Sequence, residues 1–419
     1  MRFTLDLHIH SRFARACSPE LTLENIAITA KRKGVDIVGT GDFTHPAWFK
    51  SIVSELEEVE SSGLYRHKKV PSAALFILSA EVSLVYRDDD KARRIHLVIH
   101  APNIAAVNKL NKKLGTKYNL RADGRPILGI SAPDFVRFCL DIDPCFIIYP
   151  AHIWTPWYSV LGSKSGFNSL EECFKEQTIN IYAYETGLSS DPPMNWRVSS
   201  LDKFTRLSSS DAHGLSNIGR EATVMSLAKT DYSSIYRVIK NNKLSSGDDK
   251  NGLVSTIEFF PEEGTYHFDG HRDCGYGCTP EQSKKNNGIC PRCKRPLVIG
   301  VASRVDELSD RPEGYQLKNA APYISLVGLS KIIAEALGVK NRRALTVTRI
   351  YDKMIKELGN ELYILTEADT SQLKVEYPKI APLIERMLAG KVHLISGYDG
   401  QYGQVHLLNK TAAKSAVKV

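Results

Sequence analysis

Residues 6–11 read DLHIHS, in the first apolar run of a chain of 419 residues. In extended backbone successive side chains alternate faces, so His8 and His10 point to one side while Leu7 and Ile9 point to the other. Two neighbouring imidazoles near a strand end can grip one metal ion, or one each of two. Taken alone, such a pair is more often two surface histidines, so the reading depends on what the rest of the chain places beside it.

The segments that follow alternate between two periodicities. Runs at 35–43, 74–86, 93–101, 145–153, 179–187 and 205–213 read as strands. Those at 22–34, 47–63, 103–115 and 131–142 read as amphipathic helices, the first with Thr22 as N-cap and Gly34 as C-cap. Strands separated by helices predict a mainly parallel α/β arrangement, with enough units for a closed or nearly closed barrel. The strand ends carry Asp42 and His45, then Glu81, His96, His152, and Asp211 with His213. In a parallel barrel the C-terminal strand ends share one face. Six strand ends offering His, Asp or Glu to one rim is a much narrower coincidence than a single HxH. Asp42 reads equally well as a ligand or as a partner that holds a ligand histidine. His67, His100 and His393 read as spectators.

Bulk properties bound the answer. The length exceeds one ordinary core, and 42% hydrophobic with 24% charged residues describes a globular chain. The net charge of +8 permits a polyanionic partner without demanding one. No run of about 18 apolar residues is present, so no membrane span is expected, and a cytoplasmic, nucleoid-associated location follows as the expectation. The organisation reads as a phosphoesterase-like barrel over 1–252, a cysteine element over 264–300, a mainly helical region over 301–410 and a polar tail over 411–419.

These motifs resemble, in order, those of the PHP (polymerase and histidinol phosphatase) phosphoesterases: DLHIHS, the 42–45 stretch, Glu81 with His96, His152, and SDAH at 210–213. The resemblance implies a distorted barrel of seven βα units with two or three divalent ions (Zn, Mn or Mg) at its rim. His8, His10, His45, Glu81, His96, His152, Asp211 and His213 then become the catalytic candidates. The family often has an acidic ligand shortly after HxHS. Here the loop is longer, and only Glu20 is available for that role. Mixed imidazole and carboxylate sites suit Zn, Mn or Fe. Clustered ions acidify water toward a pKa of about 7 and stabilise a leaving oxygen, so the reaction class is phosphoester hydrolysis.

Cys274, Cys278, Cys290 and Cys293 form a C-x3-C-x11-C-x2-C pattern. Four thiolates leave no open position, so this reads as one structural zinc ion. Disulfides are the weaker alternative in a chain with no other sign of secretion. The nearby Lys284, Lys285, Arg292, Lys294 and Arg295 are read as phosphate contacts or as solvated charge.

With these appended regions, the stretches ETGLSSDPPMNWR and SSSDAHGLSNIGREAT, and the ending GKVHLISGYDGQYGQV, the whole chain resembles the endonuclease Q family. That resemblance implies incision of DNA on the 5′ side of uracil, hypoxanthine, xanthine or an abasic site. The altered base would have to leave the stack to reach a recessed centre. Ser189, Ser190 and Asn195, stiffened by Pro192–Pro193, together with Trp154, Trp157 and Tyr158, are the candidates to meet it. Lys340, Arg342, Arg343, Arg349 and Lys353 are the candidates for phosphate contacts. Tyr398 and Tyr402 sit in a glycine-rich turn that either approaches DNA or is simply a hairpin tip. No sliding-clamp peptide is recognisable, so a clamp partner is left open. The alternatives are a small-molecule phosphatase of the histidinol-phosphatase type and a DNA-binding scaffold with a degenerate barrel.

Overall fold

The computed structural model describes residues 1–244 and 251–408. The polar tail and the centre of the turn-rich 241–252 stretch lie outside these. Arg2–Asp6 pairs in parallel with Ile37–Gly39, and that strand pairs in parallel with Leu75–Ile77. The chain runs on into Ser79–Asp88, then folds back through Asp89 and Asp90 into Lys91–His100. Both turn residues have positive φ (46° and 62°), the two-residue hairpin geometry that Asp tolerates better than most residues.

The ring then closes. Ala101 N donates to Leu78 O (3.1 Å), and Lys91–His100 pairs antiparallel with Ile147–Pro150. Ile153 N donates to Glu185 O (3.1 Å), Ala183–Glu185 pairs in parallel with Thr205–Leu207, and His10 N donates to Ala212 O (3.1 Å). Among the described residues the staves are thus 2–6, 37–39, 75–77, 91–100, 147–150, 183–185 and 205–207. The α/β barrel forms with seven staves, but 91–100 runs against its neighbour because the Asp89–Asp90 turn leaves no length for a crossover helix.

Leu5, Leu7, Ile77, Val98, Tyr149 and Leu207 are buried together with Ile235, Val238 and Ile239 of the helix Tyr232–Asn241. The Tyr232 hydroxyl donates to His100 O (3.1 Å) and Cys145 O (2.6 Å), so this helix plugs the ring at the end opposite the histidines. Outside the ring, Leu23–Lys33 buries Ile26, Ala27 and Ala30. Thr22 caps it by accepting from Asn25 N, and Gly34 ends it at φ 93°.

Ala222–Ser226, Gly252–Glu258 and Tyr323–Ser325 extend the first strand outward as one sheet. Val301 and Val305 of Val301–Leu308 also join the barrel core, so residues 301–325 are fastened to the barrel. The helices Leu329–Ala336, Leu345–Leu358, Glu361–Thr366, Thr370–Glu376 and Ala381–Leu388 share a separate core around Ile332, Ile333, Met354, Leu365 and Ile384. Lys33 joins this body to the first barrel helix through Glu361 (2.6 Å). No helix among the described residues is long and apolar enough to cross a membrane.

Candidate metal centre

The first strand ends at Asp6, whose buried carboxylate accepts from Ser210 N (2.9 Å) and Gly219 N (2.8 Å). This pins the DLHIHS segment to the loop that carries Asp211. Leu7 and Ile9 go into the core, and His8 and His10 face the ring mouth with ring centroids 5.4 Å apart.

Each imidazole is held from behind by a carboxylate. His8 Nδ1 lies 2.9 Å from Glu185 Oε2, and His10 Nδ1 lies 3.0 Å from Asp42 Oδ1. Asp42 is itself fixed, accepting from the N–H (2.6 Å) and hydroxyl (2.7 Å) of Ser11. With Nδ1 committed, each Nε2 faces forward. His8 Nε2, His10 Nε2 and Asp211 Oδ1 are buried without a hydrogen-bond partner, and His10 Nε2 lies 3.1 Å from Asp211 Oδ1. Converging orphaned donor atoms of this chemistry fit a divalent cation, and the carboxylates behind them supply the orientation such sites use. Burial opposes charge on His8, but Glu185 and Glu81 raise it well above the ordinary histidine range. Asp42 and Asp211 do the same for His10. A cation would take the place of those protons.

A second group adjoins the first. Glu81 Oε1 lies 2.9 Å from His96 Nδ1 and 3.1 Å from His152 Nε2. Its other oxygen lies 3.3 Å from His10 Nε2 and 2.9 Å from Arg125 Nη1. Burial alone would raise this carboxyl, but His96, Arg125 and His8 hold it well below the usual range. Burial lowers His96 to about 4, keeping it neutral and able to ligate. Asp42, His152 and Asp211 all sit at positive φ (47°, 30° and 45°), a conformation uncommon for such residues and concentrated at functional sites. At Gly187 a side chain would meet the His152 Cβ at 2.4 Å, so this strand end needs glycine. Both groups open into a cavity of about 830 Å³, lined also by Trp157, Tyr158, Ser189, Arg220 and Arg342.

Comparison with known proteins shows the same arrangement of the whole chain elsewhere. PfuEndoQ, a lesion-specific endonuclease from Pyrococcus furiosus, superposes with a TM-score of 0.84 at 25% identity, covering 100% of this chain and 97% of that one. Endonuclease Q in complex with a 27-mer duplex substrate with an abasic lesion at the active site gives 0.85 at 25% identity, covering 100% and 98%. The chain belongs to the endonuclease Q family. YqxK from Bacillus subtilis (strain 168) is 30% identical over 421 residues, 96% of this chain and 98% of its own. MJ0043 from Methanocaldococcus jannaschii is 30% identical over 259 residues, 60% of this chain but 31% of that longer protein. Residues 328–391 match the family model of the MJ0043 C-terminal domain.

In this member of the endonuclease Q family, several candidates lie outside the two groups. His45 caps the helix Pro46–Glu55 through Nδ1 and stacks on Phe13 at 4.3 Å. His213 packs 4.6 Å from the His10 ring, its Nδ1 facing Asp211 O (2.9 Å). Glu20 is exposed on a turn and joins neither group. Glu185 and Arg125 were not among the sequence candidates.

The expected recognition loop turns inward. Asn195 accepts from the Trp154 indole N–H (2.8 Å) and donates to Ser190 Oγ (3.0 Å) and Asp191 O (2.8 Å), while Ser190 donates to Thr186 O (2.9 Å). Ser190, Asn195 and Trp154 are therefore internal latches, because the short helix Pro192–Trp196 turns Asn195 inward. Ser189, Trp157 and Tyr158 stay at the cavity. Arg342 and Arg343 precede the helix Leu345–Leu358 rather than lying on it; both are exposed, and Arg343 faces an adjoining cleft with Arg342.

In the cysteine element the donors that meet are Cys274, Cys290, Cys293 and His271, not Cys278. Asp269–His271 and Tyr276–Cys278 form a hairpin with Cys274 in its turn. The turn end, with His271 and Cys274, faces the CPRC knuckle, and Cys293 Sγ lies 3.7 Å from His271 Nδ1. Cys278 lies farther along the strand, buried opposite Asp269. Arg292, exposed on the knuckle, donates to Cys274 O.

Proposed function

We propose that this chain is a DNA-repair endonuclease that hydrolyses the phosphodiester 5′ of a deaminated base (uracil, hypoxanthine or xanthine) or an abasic site, acting on a nucleotide drawn out of the stack. The observation that carries the reading is Glu81. One buried carboxylate joins two groups of ligand-competent side chains at the floor of a cavity large enough for a nucleotide, in a chain aligned end to end with endonuclease Q.

His8, His10 and Asp211 would hold one divalent ion, and Glu81, His96 and His152 a second. Ions so placed would supply Lewis acidity to the phosphoryl oxygens and lower the pKa of water. The protein's own residues do the remaining work. Glu185 and Asp42 orient the two leading imidazoles. Arg220, which donates to Ser210 O (2.9 Å) beside Asp211, and Arg342 present positive charge to the entering phosphates. His271, Cys274, Cys290 and Cys293 would hold a structural zinc ion, three thiolates and one imidazole leaving no open position.

End-labelled duplexes carrying one uracil, hypoxanthine, xanthine or abasic site, and an undamaged control, test the proposal. The expected result is a single cut 5′ of each lesion and none in the control. Turnover of histidinol phosphate or a chromogenic monoester without DNA incision would replace it with the phosphatase reading.

A further inference from the structure

Tyr402 is 83% exposed, the most exposed of the large aromatic side chains, and it lines the same cavity as the two ligand groups. Tyrosine, apolar in its ring and polar at its tip, is enriched at surfaces that a partner covers. The hairpin bearing it, between His393–Ile395 and Gln404–His406, is fastened at many points. Gly397 N donates to Glu262 O (2.8 Å), Gly400 N to Thr265 O (2.9 Å) and Gly403 N to Glu263 O (3.2 Å). Phe268 N donates back to Gly397 O (2.9 Å), and Asp399 Oδ2 accepts from Arg272 N (2.6 Å).

Tyr398 does the opposite of Tyr402. Its ring covers Gly270 and Gly277 on the two strands of the cysteine element, where an added Cβ would meet it at 2.4 and 2.5 Å. The cysteine element and the 262–268 segment thus form a seat for this hairpin. Tyr266 in the same segment also steadies Trp157, edge to face at 5.4 Å.

We propose that Tyr402 enters the base stack of duplex DNA at the position vacated by the lesion nucleotide, with the cysteine element as its rigid mount. The inference rests on the endonuclease reading above. A flipped nucleotide leaves its partner base and neighbours with unpaired π faces, and a preorganised aromatic ring meets them without sequence preference. Single-stranded DNA has no such gap, so Tyr402 should matter only for duplex.

The test is incision of one uracil in duplex and in single-stranded DNA by wild type, Tyr402→Ala and Tyr402→Phe. Tyr402→Ala is expected to slow duplex incision about tenfold or more, as stacking energies imply. Single-strand incision and the unfolding midpoint should stay unchanged, and Tyr402→Phe should restore the duplex rate. Wild-type cutting with no duplex defect in Tyr402→Ala, or an equal defect on both substrates, would overturn this inference and leave the endonuclease reading intact. No cutting by wild type on either substrate would overturn both.

Discussion

His8 Nδ1 lies 2.9 Å from Glu185 Oε2, and that same oxygen accepts the backbone N–H of His152 at 3.1 Å. One buried carboxylate therefore sets the orientation of a side chain in the first ligand group and the backbone of a residue in the second. Glu185→Gln should keep the packing but weaken divalent-ion binding about 10–100-fold, the usual cost of losing such a partner. Activity should return at high ion concentration, which a titration of incision rate against added Mn²⁺ would read. An unchanged titration curve would remove Glu185 from the site.

The forward-facing candidate residues carry a different expectation. His8→Ala and Asp211→Ala should abolish incision while changing DNA affinity little, because the charges proposed to meet the phosphates, Arg342 and Arg343, are untouched by either substitution. Binding measured by anisotropy beside incision on the same duplex separates the two. Wild-type incision rates in either variant would sink the assignment.

How much of this could be read beforehand follows from where each residue lies. His8, His10, Asp42, His152 and Asp211 were legible as candidates because they follow strand ends, where local periodicity locates them, whereas Glu81 and His96 lie within Ser79–Asp88 and Lys91–His100. Glu185 closes the strand Ala183–Glu185 in YETG, so the strand-end signal that marks His152 was present for it as well. Arg125 comes from an irregular loop whose approach to Glu81 is purely tertiary, so no local pattern marks it. His271 had a signal, the H-x2-C spacing to Cys274, masked by a regular-looking four-cysteine pattern. Asn195 and Trp154 looked like a reading loop because polar, proline-stiffened stretches usually face solvent, and their burial depends on packing that no short window shows. The reversed barrel stave was hidden in the Asp88–Asp90 run, which reads as a charged loop until both turn residues are seen at positive φ.

The cysteine element gives a discriminating pair. His271→Ala should release one zinc ion per chain, whereas Cys278→Ser should retain it, as read by metal analysis after gel filtration. Loss of zinc from Cys278→Ser with retention in His271→Ala would restore the four-cysteine arrangement.

Asn195 should now behave as a structural residue. Asn195→Ala leaves the buried Trp154 indole N–H without its acceptor, a cost of about 1–3 kcal/mol. The unfolding midpoint should fall, and incision should fall alike on uracil, hypoxanthine and abasic DNA. A loss confined to base-bearing lesions would return Asn195 to base recognition.

Burial raises the Glu258 carboxyl to about 7, against the opposing charge of Arg206, and Ser208 Oγ (3.1 Å) and Thr186 Oγ1 (3.2 Å) donate to it. The folded state thus binds a proton more tightly than the unfolded chain, whose carboxyl titrates near 4.5. Stability from this group is fully present below that value and is lost as pH rises through about 7. Glu258→Gln, which cannot ionise, should therefore gain in unfolding midpoint relative to wild type on going from pH 5 to pH 8. A difference that is flat or falls over that range would contradict the assignment.

The central claim is that the two groups joined by Glu81 hold the ions that drive incision at a lesion. Protein stripped by chelation and then supplied with Mn²⁺, Mg²⁺ or Zn²⁺ should be mixed with an end-labelled duplex carrying one abasic site, beside Glu81→Gln treated in the same way. The account predicts one cut at the phosphodiester 5′ of the lesion, only when a divalent ion is present and only in the wild type. Cutting that persists in stripped protein or in Glu81→Gln, or no cutting with any ion, would contradict it.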